Sequence, residues 1–519
     1  MSSSNDVEPD HDTDVIGSML RKGIQLWSEN GALRFKAPKG VLTRDDLEKL
    51  KKHREHILAS LEADWTGKDG GESEALQRYS RAPLAFSQLA LWNAYQSGER
   101  RPCRQIASAT RVQGVLHLEV LQKSIDAMIR RHDALRTGIE IFDGIPVQTI
   151  ANSAMIEPWV ADLTESPPHV RESDLIRLIV GQILEPVDVT ADPLFNVGLI
   201  KCADNHHVLV LTLDHMISDM FSMGVLLCDL FATYVQIIRG EFPKLPELPL
   251  QFADYAIWQK GSHAVWMDKH GEYWKQFVAH CGRIKFPPDA SVHQSGGSGW
   301  GTVSLEIDRR LKAELIEWCK VRRTTVVMAV FTAFVALVLL WCDASEGVVQ
   351  YQSDGRINVK TKHTIGFFAA SLYINAKLHY QDNFIDLLER LTLEYCNAHE
   401  HVDGSYWEAQ TPRPAFTHNA AFNWVPCGSN IDLSGLEGSV DAIACSSVHF
   451  GSPTLKYSQR DGEPVMLLFE AVDSIVGGLH FPLDRFSVST MERFSRNFTA
   501  LLQELLRNSE GYVKNIKLS

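Results

Sequence analysis

The stretch that decides the fold runs Leu211-Thr212-Leu213-Asp214-His215-Met216-Ile217-Ser218-Asp219-Met220. It closes an apolar strand with a histidine and an aspartate, and it leads into a helix that we place near Ser222. A rigid strand end can present such side chains to a cleft, where a neutral imidazole can accept a proton from an attacking amine or hydroxyl. By its spacing alone, the pattern fits equally well a buried structural histidine beside a surface aspartate.

The composition excludes several classes of function. The 519 residues carry 51 Lys and Arg against 64 Asp and Glu, a formal charge of −13, whereas a nucleic-acid binder normally shows a basic face. Nine cysteines are scattered without a Cys-x-x-Cys pair or a metal-ligand cluster with histidine, which indicates a cytoplasmic protein without a metal site. Residues 324–341 are almost wholly apolar, and we interpret them as a buried core helix rather than a membrane span.

The N-terminal part of the chain is predicted to form a separate small unit. We expect a disordered tip at residues 1–13, then a helix, a β-hairpin around Asn30-Gly31 and a second helix after Thr43 within residues 14–63. This unit has ten Lys and Arg against seven Asp and Glu over Asp14–Glu62. It is either an accessory part of the main core or a docking platform that adds a peptide strand to the hairpin edge. Residues 64–78 are predicted to be a linker.

The rest of the chain mixes strand-like runs with amphipathic helices. Strand-like runs include His207–Leu213 and Val465–Phe469, and Leu118–Arg131 has the pattern of an amphipathic helix. Because the two kinds of element do not alternate strictly, we predict an α+β fold rather than a doubly wound sheet. We place its two lobes at residues 79–290 and 291–519.

Six motifs in this part of the chain occur in the order found in one enzyme family. They are Pro83–Trp92 (with Ala85 where the family has Ser), Arg131–Thr137, Asp214–Met220, Phe252–Gln259, Ile365-Gly366-Phe367-Phe368 and His401-Val402-Asp403. Together they resemble the condensation domains of nonribosomal peptide synthetases, in the superfamily of chloramphenicol acetyltransferase, over residues 83–506.

The N-terminal unit resembles the β-hairpin docking domains that precede many such enzymes, through Gly23–Trp27, Leu33–Gly40 and Leu42-Thr43. Docking domains of this kind capture the C-terminal tail of an upstream subunit. The implied partner is a polyketide or peptide synthase subunit together with its carrier protein. The side chains expected to take part are Leu26, Trp27, Arg34, Phe35, Lys36 and Lys39.

The resemblance also implies roles around the quoted stretch. His215 falls on the central histidine of the family's His-His-x-x-x-Asp-Gly motif, and Asp219 on its structural aspartate, which pairs with an arginine that matches Arg356. Two positions depart, because Asp214 replaces the first histidine and Met220 the glycine. Asp214 either raises the basicity of His215 or points away from it. We expect Asp214, Asp219 and Arg356 to support the active-site loop.

Further departures follow the Ile-Gly-x-Phe motif, where Ala370-Ser371 replaces the family's Asn-Thr and Asn375 replaces an arginine. They put standard substrate selection in doubt. The family fold implies two chloramphenicol-acetyltransferase-like lobes in a V-shaped pseudo-dimer, with a tunnel that meets at the motif.

The implied reaction transfers an acyl chain, polyketide or peptidyl, from a carrier-protein phosphopantetheine thioester to an amine or hydroxyl, giving an amide or an ester. His215 would act as general base or orient the nucleophile. No cofactor of its own is expected, since the phosphopantetheine belongs to partner carrier proteins and the sequence lacks a phosphate loop or a Gly-x-Gly-x-x-Gly.

The position of the last residue, Ser519, shortly past the last family helix, favours a free-standing enzyme. Its acceptor would sit on a second carrier protein or be a free small molecule, and in the second case the enzyme would release the finished chain. Two alternatives stay open. One is a non-catalytic relative that recruits partners, which Asp214 and Met220 permit. The other is an ordinary amide-forming protein that acts between two peptide-synthetase proteins.

Overall fold

The described part of the chain comprises a small N-terminal hairpin with one helix and a large two-lobed body. The structure, a computed structural model, describes residues 25–29, 32–36, 42–52, 54, 80–96, 105–282, 284–287, 289, 299–356, 359–402, 420–425, 444–447, 464–471 and 473–518. The predicted tip, the first helix and the whole of the predicted linker lie outside the described residues.

The hairpin and the start of the following helix are confirmed. Strand β1 (Gln25–Glu29) pairs antiparallel with β2 (Ala32–Lys36). Helix α1 (Arg44–Lys52) follows Thr43, whose backbone N–H and hydroxyl donate to the Asp46 carboxylate at 2.9 and 2.7 Å. The Asp46 N–H donates back to the Thr43 hydroxyl at 3.2 Å, so the two residues satisfy each other's end groups as a capping box.

The first lobe holds a five-stranded sheet and a three-stranded sheet. Its elements are β3 (Arg81–Pro83), α2 (Phe86–Gln96), β4 (Gln105–Gln113), α3 (Leu118–Arg131), a 3₁₀ turn (Asp133–Arg136), β5 (Thr137–Phe142), β6 (Ile145–Ile150), β7 (Trp159–Asp162), α4 (Pro168–Leu184), β8 (Phe195–Ala203), β9 (His206–Asp214), α5 (Met220–Ile238) and α6 (Phe252–Gly261).

The second lobe holds a six-stranded sheet. Its elements are α7 (His263–His280), β10 (Trp300–Ile307), α8 (Arg309–Arg322), α9 (Val326–Trp341), β11 (Glu346–Ser353), a 3₁₀ turn (Val359–Thr361), β12 (Ala370–Lys377), α10 (Phe384–Glu400), β13 (Ala420–Val425), β14 (Ala444–Ser447), β15 (Val465–Glu470), β16 (Ile475–Pro482), α11 (Val488–Arg507) and a 3₁₀ turn (Val513–Asn515). Both lobes mix parallel and antiparallel pairs, and the predicted α+β class is confirmed.

Strand β9 is buried on both faces in the sheet ordered β14-β4-β9-β8-β7. Its residues Leu211 and Leu213 face the core under α3 and α5, whereas Val208 and Val210 face α4. Successive residues of a strand point to opposite faces, so the continuous apolar run of β9 suits a sheet covered on both sides. The loop that follows β9 is therefore anchored in the middle of the first lobe.

The predicted core helix is confirmed as α9, which is buried from Met328 to Leu339. It packs with α8, α10 and α11 on one face of the sheet ordered β10-β16-β15-β13-β11-β12. Within the described residues α5 also has the length and hydropathy of a membrane span, but it is mostly buried in the first lobe.

The division between the lobes is crossed by a strand, and α7 packs on the second lobe. Strand β14, which comes late in the chain, pairs with β4 of the first lobe, with Ala444 opposite Gln113. Helix α7 packs on β11 and β12 through Trp274, Val348 and Tyr373. Packing thus groups α7 with the second lobe, while the predicted division at residue 290 stays a prediction.

The edge strand β7 depends on a glycine, because Trp159 lies opposite Gly198 and a Cβ on that glycine would overlap the indole ring. We expect Gly198→Ala to lower the free energy of unfolding by about 1–3 kcal/mol, the usual cost of overpacking. The control is Gly181→Ala in α4, where a Cβ meets nothing within 4 Å. That change should raise stability by ~0.5–1 kcal/mol. Urea unfolding measures both, and equal effects would contradict this packing.

Candidate functional site

The predicted catalytic histidine stands on the loop between β9 and α5. Asp214 ends β9, where it pairs with Gln105 of β4, and the helix begins at Met220, slightly earlier than the predicted start near Ser222. His215 is half-buried, whereas the loop residues on both sides of it are buried. The loop therefore presents one imidazole at the end of a strand held on both edges.

The hydrogen bond of His215 fixes its tautomer. The ring atom Nδ1 lies 3.0 Å from the carbonyl oxygen of Ser218. A carbonyl only accepts hydrogen bonds, so Nδ1 carries a hydrogen, and in the neutral imidazole Nε2 then carries the lone pair. The ring also lies against Phe367 of the second lobe, with the ring centroids 4.7 Å apart. This geometry supplies a base nitrogen where the two lobes meet.

Asp214 supports the loop from its buried end. Its carboxylate accepts the N–H of Met216 at 2.8 Å, and its carbonyl accepts the hydroxyl of Ser218 at 2.9 Å. Ser218 in turn accepts the bond from His215. Asp214 is only 2% exposed. Its hydrogen bond to the Met216 backbone holds the loop next to the imidazole of His215.

Asp219 is the centre of a network that joins the lobes. As the N-cap of α5, its Oδ1 accepts the N–H and the hydroxyl of Ser222 at 2.8 and 2.7 Å. Its Oδ2 accepts Nη1 of Arg356 at 2.7 Å and the N–H groups of Phe368 and Ala369 at 3.1 and 3.2 Å. One buried carboxylate thus receives five hydrogen bonds, three of them from the second lobe.

Arg356 is held as tightly as the carboxylate that it faces. Both side chains of the ion pair are 3% exposed. The second guanidinium nitrogen donates to the Ser222 hydroxyl and to the Thr364 carbonyl at 3.0 and 3.2 Å. The guanidinium also lies over the rings of Phe221 and Phe368, at 4.4 and 4.5 Å from their centroids. These bonds use the planar fork of arginine, which lysine lacks.

Two glycines allow the second lobe to come this close. Gly355 adopts φ of +64°, and a Cβ there would overlap the carbonyl of Phe368. Gly366 packs under the ring of Phe252 with no room for a Cβ. Its N–H donates to the hydroxyl of Ser222 at 3.1 Å, and its carbonyl oxygen lies 2.9 Å from that hydroxyl, whose single hydrogen is shared between this carbonyl and Asp219.

Sequence reasoning missed three contributors. Ser222 shares hydrogen bonds with Asp219, Arg356 and Gly366, and its position three residues after an N-cap aspartate is a signal that could have identified it. At the start of α2, Ser87 donates to the Phe367 carbonyl at 2.8 Å. Its neighbour Gln88 donates to the Met216 carbonyl at 2.6 Å. Both belong to the first quoted motif, and the two bonds bind the histidine loop and the second-lobe loop to one helix.

Residues of two other motifs make packing and hydrogen-bond contacts between helices. In the second motif, Nε2 of His132 and Nε of Arg131 lie 3.2 and 3.0 Å from the same Asp229 carboxylate oxygen, which links α3 to α5. Burial lowers the pKa of His132, which keeps the imidazole neutral. His401 of the last motif stacks on Tyr273 of α7 with the ring centroids 3.8 Å apart. Burial raises the pKa of Tyr273 to about 12.

The residues that differ from the family motifs make contacts within the protein. The Ser371 hydroxyl accepts a bond from Gln350 at 2.6 Å, and the Asn375 side chain accepts the N–H of Gly282 at 3.1 Å. Met220 is half-buried and packs against the core of the first lobe. Among the described residues, no three His, Cys, Asp or Glu side chains lie together as a metal site would require.

The predicted docking residues lie on the hairpin or just after it. Leu26 pairs with Phe35 and Trp27 with Arg34, and the Arg34 and Phe35 side chains are exposed. Lys36 ends β2, opposite Gln25. Lys39 lies outside the described residues.

The comparisons with known proteins identify the family. The condensation-domain family model matches residues 79–412, more than half of the chain, and the chain therefore belongs to the condensation-domain family. The TubC N-terminal docking domain model matches residues 14–62, ahead of it.

The curated relatives are large synthetases. The chain is 26% identical over 450 residues to one of the proteins of the linear gramicidin synthase of Brevibacillus parabrevis, a match that covers 85% of this chain and 9% of that protein. It is 26% identical over 473 residues to the malpibaldin synthetase of Mortierella alpina, which covers 87% of this chain and 8% of that protein. The chain thus spans less than a tenth of the length of these relatives.

Solved structures establish the fold as two chloramphenicol-acetyltransferase-like lobes. The X-domain in its complex with OxyB from teicoplanin biosynthesis matches with a TM-score of 0.68 and 21% identity, over 87% of this chain and 99% of that one. The EpoB cyclization-docking bidomain from Sorangium cellulosum matches with a TM-score of 0.71 and 17% identity, over 95% of this chain and 97% of that one. The SgcC5 protein from Streptomyces globisporus matches with a TM-score of 0.68 and 21% identity, over 83% of this chain and 100% of that one.

The network around Asp219 predicts strong coupling between the two charges. In a double-mutant cycle of Asp219→Asn and Arg356→Met, we expect a coupling free energy above ~2 kcal/mol, because each single change leaves a buried group unpaired. Urea unfolding of the four proteins measures it. The control cycle takes Arg310 and Glu314, whose side chains are 84% and 51% exposed, and should give less than ~0.5 kcal/mol. Coupling no larger than in the control would contradict the network.

Proposed function

We propose that the protein is an acyltransferase that moves an acyl chain, polyketide or peptidyl, from a carrier-protein phosphopantetheine thioester to an amine or hydroxyl. Membership of the condensation-domain family implies amide- or ester-forming activity, although some members, such as X-domains, are non-catalytic. The observation that carries the proposal is the tautomer of His215, whose bond to the Ser218 carbonyl leaves the Nε2 lone pair as the base.

In the proposed reaction, Nε2 of His215 takes the proton of the acceptor hydroxyl or amine as that group attacks the thioester carbonyl. The tetrahedral intermediate then collapses, its carbon–sulfur bond breaks, and the imidazolium returns the proton to the leaving thiolate. The products are an ester or amide and the free pantetheine thiol. General base catalysis of this kind contributes about 10²–10⁴-fold, and holding two reactants together supplies much of the rest.

A hydroxyl acceptor and an ester product are the form of the reaction that we favour. The SgcC5 protein, whose whole chain is covered by the match, was crystallised in complex with a naphthyl-substituted 1,2-ethanediol and sucrose. A docking domain followed by a condensation domain is also similar in layout to the enzyme that releases the polyketide antibiotic enacyloxin as an ester. The acceptor would be a free small molecule or a group on a second carrier protein, and with a free acceptor the reaction releases the chain.

The proposed donor partner is an upstream synthase subunit and its carrier protein. The matched docking-domain model and the exposed Arg34 and Phe35 on β2 support capture of the C-terminal tail of that partner along the hairpin. No cofactor of its own is needed, because the phosphopantetheine arm arrives with the carrier. The cytoplasm is the proposed location, as for a partner of such synthases.

A recruitment role is the second candidate. It is favoured by the departures at Asp214 and Met220, and by the X-domain solved in complex with OxyB. An ordinary amide-forming step between two peptide-synthetase proteins is the third. The retained bonds of Asp219 and Arg356 around a correctly oriented imidazole support catalysis over recruitment.

The role of His215 predicts the effect of its removal. We expect His215→Ala to lower acyl transfer from a loaded carrier by about 10²–10⁴-fold while carrier binding is unchanged. Intact-protein mass spectrometry follows loss of the acyl mass from the carrier. The matched control is His169→Ala on the exposed surface of α4, which should retain full activity. Equal transfer rates for His215→Ala and the wild type would contradict the role of His215 as general base. Carrier binding without any transfer by the wild type would favour the recruitment role.

The docking role predicts a donor-dependent effect of deleting residues 1–63. We expect the deletion to weaken transfer from the cognate carrier protein, because the tail of the upstream partner is no longer captured. Transfer from a small soluble thioester should be spared, since that donor has no tail. Rates with both donors measure this, and an equal loss on both would count against docking.

A further inference from the structure

The two faces of the second-lobe sheet differ in chemistry. On β11 and β13, Tyr351 and Phe422 face the apolar core under the helices. Successive residues of a strand alternate between faces, so Gln352 and Asn423 point to the opposite side. The two are direct partners in the parallel pairing of β11 with β13, which places their side chains next to each other. We call Gln352 and Asn423 the amide pair.

The amide pair is unusual in its hydrogen bonding. Within the described part of the chain, neither side chain makes a hydrogen bond, and both are half-exposed. Their neighbour Gln350, two residues earlier on the same face, is buried and donates to Ser371 at 2.6 Å. A polar group at the edge of a packed interior is normally satisfied by protein, water or ligand. Two adjacent, partly exposed amides of this kind offer both donors and acceptors to a bound molecule.

The amide pair lies close to the histidine loop. Gln352 pairs across the sheet with Ser371 of β12, and the backbone N–H of Ala369, two residues before Ser371, donates to Asp219. Two residues of strand span about 7 Å and neighbouring strands lie about 5 Å apart, so the pair is on the order of 10 Å from that carboxylate. The other end of this face is covered by α7 through Trp274.

Among the described residues, the row of the sheet that contains the amide pair carries no charge. The row across the sheet runs Ser371, Gln352, Asn423, Leu467 and Gly478. The first charged residue after Gln352 along the chain is Asp354, which lies just past the end of β11 and is exposed. A carboxamide both donates and accepts hydrogen bonds, as a hydroxyl or an amide does. An ionic group would lose hydration there without an opposite charge to replace it.

We propose that the amide pair binds a second, uncharged polar group of the acyl acceptor, a hydroxyl or an amide, while the nucleophile of the same molecule is held at His215. The acceptor class is therefore a bifunctional neutral molecule, such as a diol or an amino alcohol. This inference rests on the acyl transfer proposed above. An acceptor that lacks the second group leaves the two amides unpaired in the complex, and a site of this kind discriminates against such analogues.

The test compares acceptors that differ only in the second group. Straight-chain α,ω-diols from ethane-1,2-diol to hexane-1,6-diol are set against the matching 1-alkanols, and amino alcohols against the matching alkylamines. The donor is hexanoyl-pantetheine thioester, and mass spectrometry of products gives kcat/KM. For the best-fitting chain length, wild type should prefer the bifunctional acceptor roughly 10- to 100-fold, as expected for one or two net hydrogen bonds.

The variants are Gln352→Met and Asn423→Leu, which keep the side-chain size and remove the amide. Each should reduce the preference severalfold, and the double variant should bring it close to one. Gln276→Met, on the exposed side of α7, is the control and should leave the preference intact.

Equal kcat/KM for both acceptor kinds in wild type, or a preference that survives in the double variant, overturns the inference alone. A double variant with a raised KM for hexanoyl-pantetheine and an unchanged acceptor preference also overturns it, because the pair then binds the pantetheine arm. A wild-type enzyme that acylates neither kind of acceptor, from this thioester or from a loaded carrier, overturns the proposed function as well.

Discussion

The carboxylate of Asp219 is the interaction on which the rest of the site depends. It caps α5 in the first lobe and accepts an arginine and two backbone N–H groups from the second. A buried carboxylate is tolerated only when it is paired and its oxygens are saturated with hydrogen bonds, and here both lobes are needed for that. The same contact that joins the lobes therefore fixes the loop on which His215 stands. The contact between the lobes and the position of the His215 loop thus share one buried carboxylate.

This arrangement explains why the departures from the family pattern leave the base in place. Asp214 stands where the family has a histidine, yet it serves the loop by bonding Met216, and His215 keeps its bond to Ser218. Ala370, Ser371 and Asn375, which replace family residues after the Ile-Gly-x-Phe motif, lie on β12 of the second-lobe sheet, where Ser371 and Asn375 make hydrogen bonds. In the function proposed above, chemistry and selectivity therefore belong to separate groups. The bonds around Asp219 hold the loop of His215, and the proposed acceptor contacts of Gln352 and Asn423 lie on the polar face of the second-lobe sheet.

Local patterns predicted much of this molecule, and long-range pairing accounts for what they missed. The pairing of β1 with β2, the Thr43 cap, the apolar helix at residues 326–341 and the loop after β9 all follow from residues close together in sequence. The Asp219–Arg356 contact joins positions 137 residues apart and was predictable only through the family resemblance. Neither the packing of α7 on the second lobe nor the pairing of β14 with β4 has a local signal. The neighbourhood of Gln352 and Asn423 likewise depends on the register of two strands far apart in the chain.

The most direct test of the central claim is the tautomer of His215, measured by ¹⁵N NMR of histidine-labelled protein, with the signal assigned by its loss in His215→Gln. We expect the Nδ1–H form in the wild type, because Nδ1 donates to the Ser218 carbonyl. We also expect that Arg356→Met converts this signal to an exchanging mixture of tautomers, since the loop loses its anchor in the second lobe. An Nε2–H form in the wild type, or an unchanged single tautomer in Arg356→Met, would contradict the claim that Asp219 and Arg356 hold the base.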